Sequence, residues 1–144
     1  MKITIENLQK QIPINPARII RAARKTLLYK KVKRGHLSIV FVTDQRIKAL
    51  NKKYLKREYT TDVLSFDLKD SRLKVNDIEG EIVISAAAAV RNAKLYQSAV
   101  EKEMVLYVVH GILHLMGFDD HSKTDTERMR QEERKTLKVL GYDR

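Results

Sequence analysis

The sequence predicts one mixed α/β domain, with about four strands in a single sheet and about five helices. Three observations carry that reading. Segments with strand patterning and segments with helical periodicity alternate along the chain. Two helix starts are marked by good caps, Asn15 ahead of Pro16 and Ser85 ahead of a run of alanines. The 144 residues contain no internal repeat, low-complexity tract or Gly/Ser linker, so they fit one domain of ordinary size.

The elements follow in order. Residues 2–6 (KITIE) alternate as a short strand. The helix opened by Asn15 and Pro16 runs to about Tyr29 and buries Ile19, Ile20, Ala23, Leu27 and Leu28. A basic stretch, Lys30 to Arg34, ends at Gly35. Residues 37–42 (LSIVFV) are the strongest strand, and Thr43 or Asp44 caps a short helix to about Tyr54. After a polar stretch over 55–61, residues 62–67 (DVLSFD) and 81–84 (EIVI) read as strands separated by a polar loop. Ser85 caps the alanine-rich helix. Another helix, from about Ser98 to Met116, presents Val105, Val108, Val109, Ile112 and Leu115 and is apolar on most sides, which marks a central buried helix. Gly117 ends it. Thr124 with Glu127 forms a capping-box pattern for a last helix over about 125–140, closed by Gly141.

Composition narrows the function classes. With no cysteine, disulfides and thiolate metal sites are excluded, so any metal must be held by His, Asp or Glu. No apolar run reaches the ~18 residues a membrane span needs, and MKITIENLQK has no apolar signal core, so the expected location is the cytoplasm. The 29 Lys+Arg against 18 Asp+Glu give a net charge of +11, which attracts polyanions such as RNA or DNA. Aromatic residues are 6% with no Trp, which argues against extensive base stacking.

Three of the four histidines lie between 110 and 121. His110 and His114 are i and i+4 on one helix, so their Cβ atoms share a face ~5–6 Å apart and two imidazoles can converge on one ion. A His pair at this spacing is often a satisfied core pair. The glycine at 117 followed by His121 is what no packing rule asks for. A left-handed turn at Gly117 reverses the chain and can return His121 over the pair as a third ligand. Three protein ligands leave a fourth position for water, the arrangement that hydrolytic metal sites use. The spacing resembles the H-E-x-x-H zinc-protease motif, but residue 111 is Gly, so the protease's general base is missing. Asp119, Asp120 and Glu81 are the acids that could serve instead as base. Thr60, Thr61 and Ser65 pair with no visible His–Asp set and are set aside as nucleophiles. His36, beside Gly35, reads as structural or exposed.

Residues 110–121 (HGILHLMGFDDH) resemble the signature H-G-x-L-H-L-x-G-Y-D-H of the YbeY endoribonucleases of bacteria. Residues 50–66 (LNKKYLKREYTTDVLSF) resemble the family's L-N-x-x-Y-R-x-x-D-x-P-T-D-V-L-S-F, and Gly80 to Ile84 resemble its G-D-I-V-I. The blocks occur in the family's order over roughly residues 37–141. The resemblance implies a compact domain related to zinc-protease folds, here one metal-dependent hydrolase domain over 1–144. It implies a single-strand-specific, metal-dependent endoribonuclease acting in rRNA processing, notably at the small-subunit rRNA 3′ end, and in ribosome quality control. RNA and the small ribosomal subunit are the implied partners, and one zinc ion per chain on His110, His114 and His121 the implied cofactor. The chain departs from the pattern at Leu55, where the family has a substrate-contacting arginine, at Glu58, at Thr60 and by the extra Asp120. Lys56 and Arg57 are the expected replacements for that arginine, and Asp120 is the alternative to His121 as third ligand. Two other classes stay open: a metal-dependent hydrolase of another bond, and a non-catalytic ribosome-binding protein with a structural metal.

Overall fold

The structure is a computed structural model that describes residues 1–56 and 61–142. Strands β1 (Lys2–Asn7), β2 (Gly35–Val42), β3 (Val63–Asp67) and β4 (Ile78–Ser85) form one sheet in the order β1-β2-β4-β3. β1, β2 and β4 are parallel, while β3 runs antiparallel to β4 along the edge. The helices are α1 (Pro16–Tyr29), α2 (Asp44–Leu55), α3 (Ala86–Leu95), α4 (Val100–Leu115) and α5 (Lys123–Val139). This is the mixed four-stranded, five-helix α/β architecture that the alternating pattern predicts.

Both faces of the sheet are covered, which is why its central strands read as continuous apolar runs. Leu37, Ile39 and Phe41 of β2, with Ile78, Ile82 and Ile84 of β4, join the core built by α1 and α4. Val40, Val42, Leu64 and Val83 face the other way and pack on Ile47 of α2. Val105, Val108, Val109, Ile112 and Leu115 are all buried, so α4 is the central helix the sequence predicts.

Three local expectations are corrected. Leu28 is 77% exposed, because the buried stripe of α1 falls on Ile19, Ala22, Ala23, Thr26 and Leu27 and the next residue turns outward. β4 begins at Ile78, earlier than the EIVI core, since Ile78 and Glu79 pair with Gly35 and His36. Ser122, and not Thr124, caps α5, its hydroxyl accepting the Asp125 N–H. No helix among the described residues is long and apolar enough to cross a membrane.

Candidate metal centre

Packing sets α4 before chemistry does. A Cβ built on Gly111 would meet three side-chain atoms of the fully buried Ile82 at 2.7–2.9 Å. Glycine there lets α4 lie against β4 at the turn that carries the histidines. The missing glutamate of the protease motif therefore has a structural counterpart: position 111 faces the sheet, not the cleft.

α4 ends in a Schellman turn. The Phe118 N–H donates to the Leu113 carbonyl, the Gly117 N–H to that of His114, and Gly117 has φ +101°. The chain then reverses through Asp119, Asp120 and His121 and enters α5. The Thr126 hydroxyl lies 2.9 Å from the Ser122 carbonyl and 3.2 Å from that of Asp120, which ties this loop to the helix that follows.

A cleft of about 590 Å³ lies between this loop, α4, the end of α2 and β3. His110, His114, Asp119, Asp120 and His121 all line it. His110 Nε2 and His114 Nε2 face each other at 3.0 Å. Asp120 Oδ2 stands 3.5 Å from His114 Nε2 and 3.8 Å from His110 Nε2. Among the described residues, His110, His114 and Asp120 thus offer donor atoms within 4.8 Å of one another, and a second such group joins Asp119, Asp120 and His121. The structure does not bring His121 to the His110–His114 pair within that distance. Its Nε2 lies instead 3.2 Å from Asp119 Oδ1.

The donor set fits a divalent ion of zinc's preferences. Two nitrogens held by bonds of ~2.0–2.1 Å at a tetrahedral angle lie about 3.3 Å apart, close to the separation here. His110 Nδ1 is 2.7 Å from Glu133 Oε2, on α5. With Nδ1–H donating to that carboxylate, the Nε2 lone pair is free to face inward. Burial, reinforced by the neighbouring His110, pushes the His114 imidazole below its ordinary pKa and favours the neutral, ligating form.

The remaining expected residues are placed as follows. Lys56 closes α2 in a left-handed conformation, φ +55°, directly after Leu55, which lines the cleft. Arg57 and Thr60 lie outside the described residues. Ser65 and Thr61 line the cleft, and the Ser65 hydroxyl donates to the Gly111 carbonyl at 3.4 Å. Glu81 shares the strand face of Val83, toward α2, so it is on the far side of the sheet from α4. His36 sits between β1 and β4, with Nε2 3.3 Å from Thr4 Oγ1 and Nδ1 3.5 Å from Glu79. Glu133 was not foreseen in the sequence. The available signal was its position on the helix after the histidine loop, where an acid one turn past Met129 can reach back to α4.

A family model described as Endoribonuclease YbeY matches residues 4–141. This chain belongs to the YbeY family. An endoribonuclease YbeY of Carboxydothermus hydrogenoformans is 36% identical over 142 residues, which cover 97% of this chain and 98% of the relative. The relative named endoribonuclease YbeY in Alkaliphilus metalliredigens is 34% identical over 153 residues, covering 100% and 98%. A solution structure of a Thermotoga maritima protein superposes with a TM-score of 0.63 at 26% identity, covering 96% of this chain and 89% of that one. Membership of the YbeY family places the chain among endoribonucleases, and with them the nuclease class of hydrolases.

Proposed function

We propose that this chain is a metal-dependent, single-strand-specific endoribonuclease, with one zinc ion held by His110, His114 and a third donor from the loop at 119–121. The observation that carries the proposal is the facing Nε2 pair, with His110 oriented from behind by Glu133. For the third donor we favour Asp120 over the sequence-expected His121, because its carboxylate is the group within reach of both imidazoles. Asp119 supports that arrangement. Its carboxylate accepts the Asp120 N–H at 2.8 Å and lies beside His121, which fixes the loop with Asp120 turned inward.

When bound, such an ion supplies Lewis acidity toward a phosphate oxygen and lowers the pKa of water. The protein's residues supply the rest. Glu133 holds the Nδ1 proton of His110. Burial favours the neutral form of His114. Leu55, Thr61 and Ser65 line the same cleft as the histidines, where a flexible single strand can lay a phosphodiester across them. Of the three acids considered as base, Asp119 and Asp120 line the cleft and Glu81 does not. Lys56 and Arg57, next to Leu55, are the proposed contacts for the strand's phosphates. The biological setting we propose is the family's: maturation of the small-subunit rRNA 3′ end and ribosome quality control in the cytoplasm.

The test removes the metal with a chelator and follows cleavage of a labelled single-stranded RNA and its duplex. Cleavage of the single strand alone, lost on chelation and restored by zinc, is expected. Cleavage that survives complete metal removal would overturn the metal-dependent reading.

A further inference from the structure

The described lining of the cleft contains four carboxylates, Asp62, Asp67, Asp119 and Asp120, and no lysine or arginine. A polyanion drawn to a protein of net charge +11 must find most of its cations elsewhere. A groove of about 880 Å³ supplies them. It runs between the turn after α1 and the last residues before β4, and Lys31, Lys33, Arg34 and Lys74 line it. Among the described residues, none of these four side chains is held in an ion pair. The groove's one carboxylate, Asp77, is buried and accepts the Lys74 backbone N–H at 3.0 Å; against the four cations it leaves the groove strongly positive.

The groove also carries apolar surface. Leu28 is 77% exposed and Val75 is 91% exposed, and both line it. Cations alternating with apolar side chains suit a single strand, whose phosphates and base faces present the complementary pattern. No aromatic residue lines it, so the contact to bases is weak and tolerant of sequence.

Groove and cleft are joined by two structural links. The β3–β4 connection starts at Asp67, which lines the cleft, and ends at Lys74–Asp77, which line the groove. Lys69 holds it together, its N–H donating to the Asp67 carboxylate at 2.9 Å and its Nζ to the carbonyls of Val75 and Asp77 at 3.2 and 3.3 Å. On the other side, the Lys30 ammonium lies 5.4 Å from the Phe118 ring centre, which ties the end of α1 to the histidine loop.

We infer that this groove binds the single-stranded RNA flanking the scissile phosphate, as a sequence-tolerant phosphate track. The inference rests on the endoribonuclease reading, so its test separates the two. A Lys33→Ala, Arg34→Ala, Lys74→Ala triple variant is compared with wild type on a long single-stranded RNA and on an oligonucleotide short enough to occupy the cleft alone. The three positions are exposed, and thermal melting checks that the variant stays folded. For the long RNA, the slope of log affinity against log salt should become shallower by about 2, from ~0.7 per lost phosphate contact on a single strand. Cleavage of the short oligonucleotide should be unchanged. A variant that binds long RNA with the wild-type slope overturns the groove and leaves the enzyme reading intact. The same result with gain of an acidic peptide ligand by wild type would assign the groove to a protein. Wild type that neither binds nor cleaves RNA overturns both.

Discussion

At the scale of single residues, the site is defined by the atoms that face His110 and His114. Glu133 touches the cleft only through His110, so it is a positioning residue. Removing such a partner typically weakens a metal site by ~10–100-fold. Glu133→Ala should lower zinc affinity by that order in competition with a chromophoric chelator, and should shift the His110 tautomer seen by imidazole nitrogen NMR. Glu133→Gln, whose amide oxygen still accepts the Nδ1 proton, should recover most of both. Equal affinity in all three proteins would show that the 2.7 Å contact is only structural. The third donor has its own test. Asp120→Ala should weaken zinc binding more than His121→Ala, and the reverse order would restore the sequence expectation. That His110 and His114 face one another was legible in the sequence, because i, i+4 spacing on a regular helix fixes relative position. Which loop side chain lies beside them was not, because beyond Gly117 the loop's own hydrogen bonds decide whether Asp120 or His121 turns inward.

At the scale of elements, the site depends on α4 lying close to β4. Gly111→Ala adds a methyl against the buried Ile82. Overpacking of this kind costs about 1–3 kcal/mol, set against a gain of up to ~1 kcal/mol in helix propensity. The net expectation is a destabilisation of up to about 2 kcal/mol by denaturant unfolding, relieved when Ile82→Ala is added. An additive double variant would remove close packing as the reason for glycine. A second junction joins α1 to α5, where Lys30 pairs with Glu132. The hydrogen bond from Lys30 lowers the Glu132 pKa below its ordinary 4.5. A lowered carboxyl pKa contributes stability that is present above about 4.5 and is lost as pH falls through the folded value. The stability difference between wild type and Glu132→Gln should therefore be constant near neutral pH and shrink on acidification below that point. A difference independent of pH across this range would mean that the pair contributes nothing through ionisation. Element order was readable because caps and periodicity are local. The exposure of Leu28 was not, since a one-residue rotation of α1's buried stripe depends on its packing against α4.

At the scale of the whole molecule, charge and cleft divide the work. The acidic, histidine-bearing cleft suits a cation and the chemistry around it, while the surplus of lysine and arginine suits an extended anion held nearby. Sequence composition revealed the surplus but not its location, because Lys31–Arg34 and Lys74 are brought together only when β2 and β4 pair. The central claim is that the His110–His114 site cleaves RNA. The most direct measurement is the cleavage rate of a labelled single-stranded RNA by zinc-loaded wild type beside His114→Ala, with bound metal quantified in both. Wild type is expected to cleave, and the variant to remain folded while losing both zinc and cleavage. Intact RNA with fully zinc-loaded wild type, or undiminished cleavage by the zinc-free variant, would contradict it.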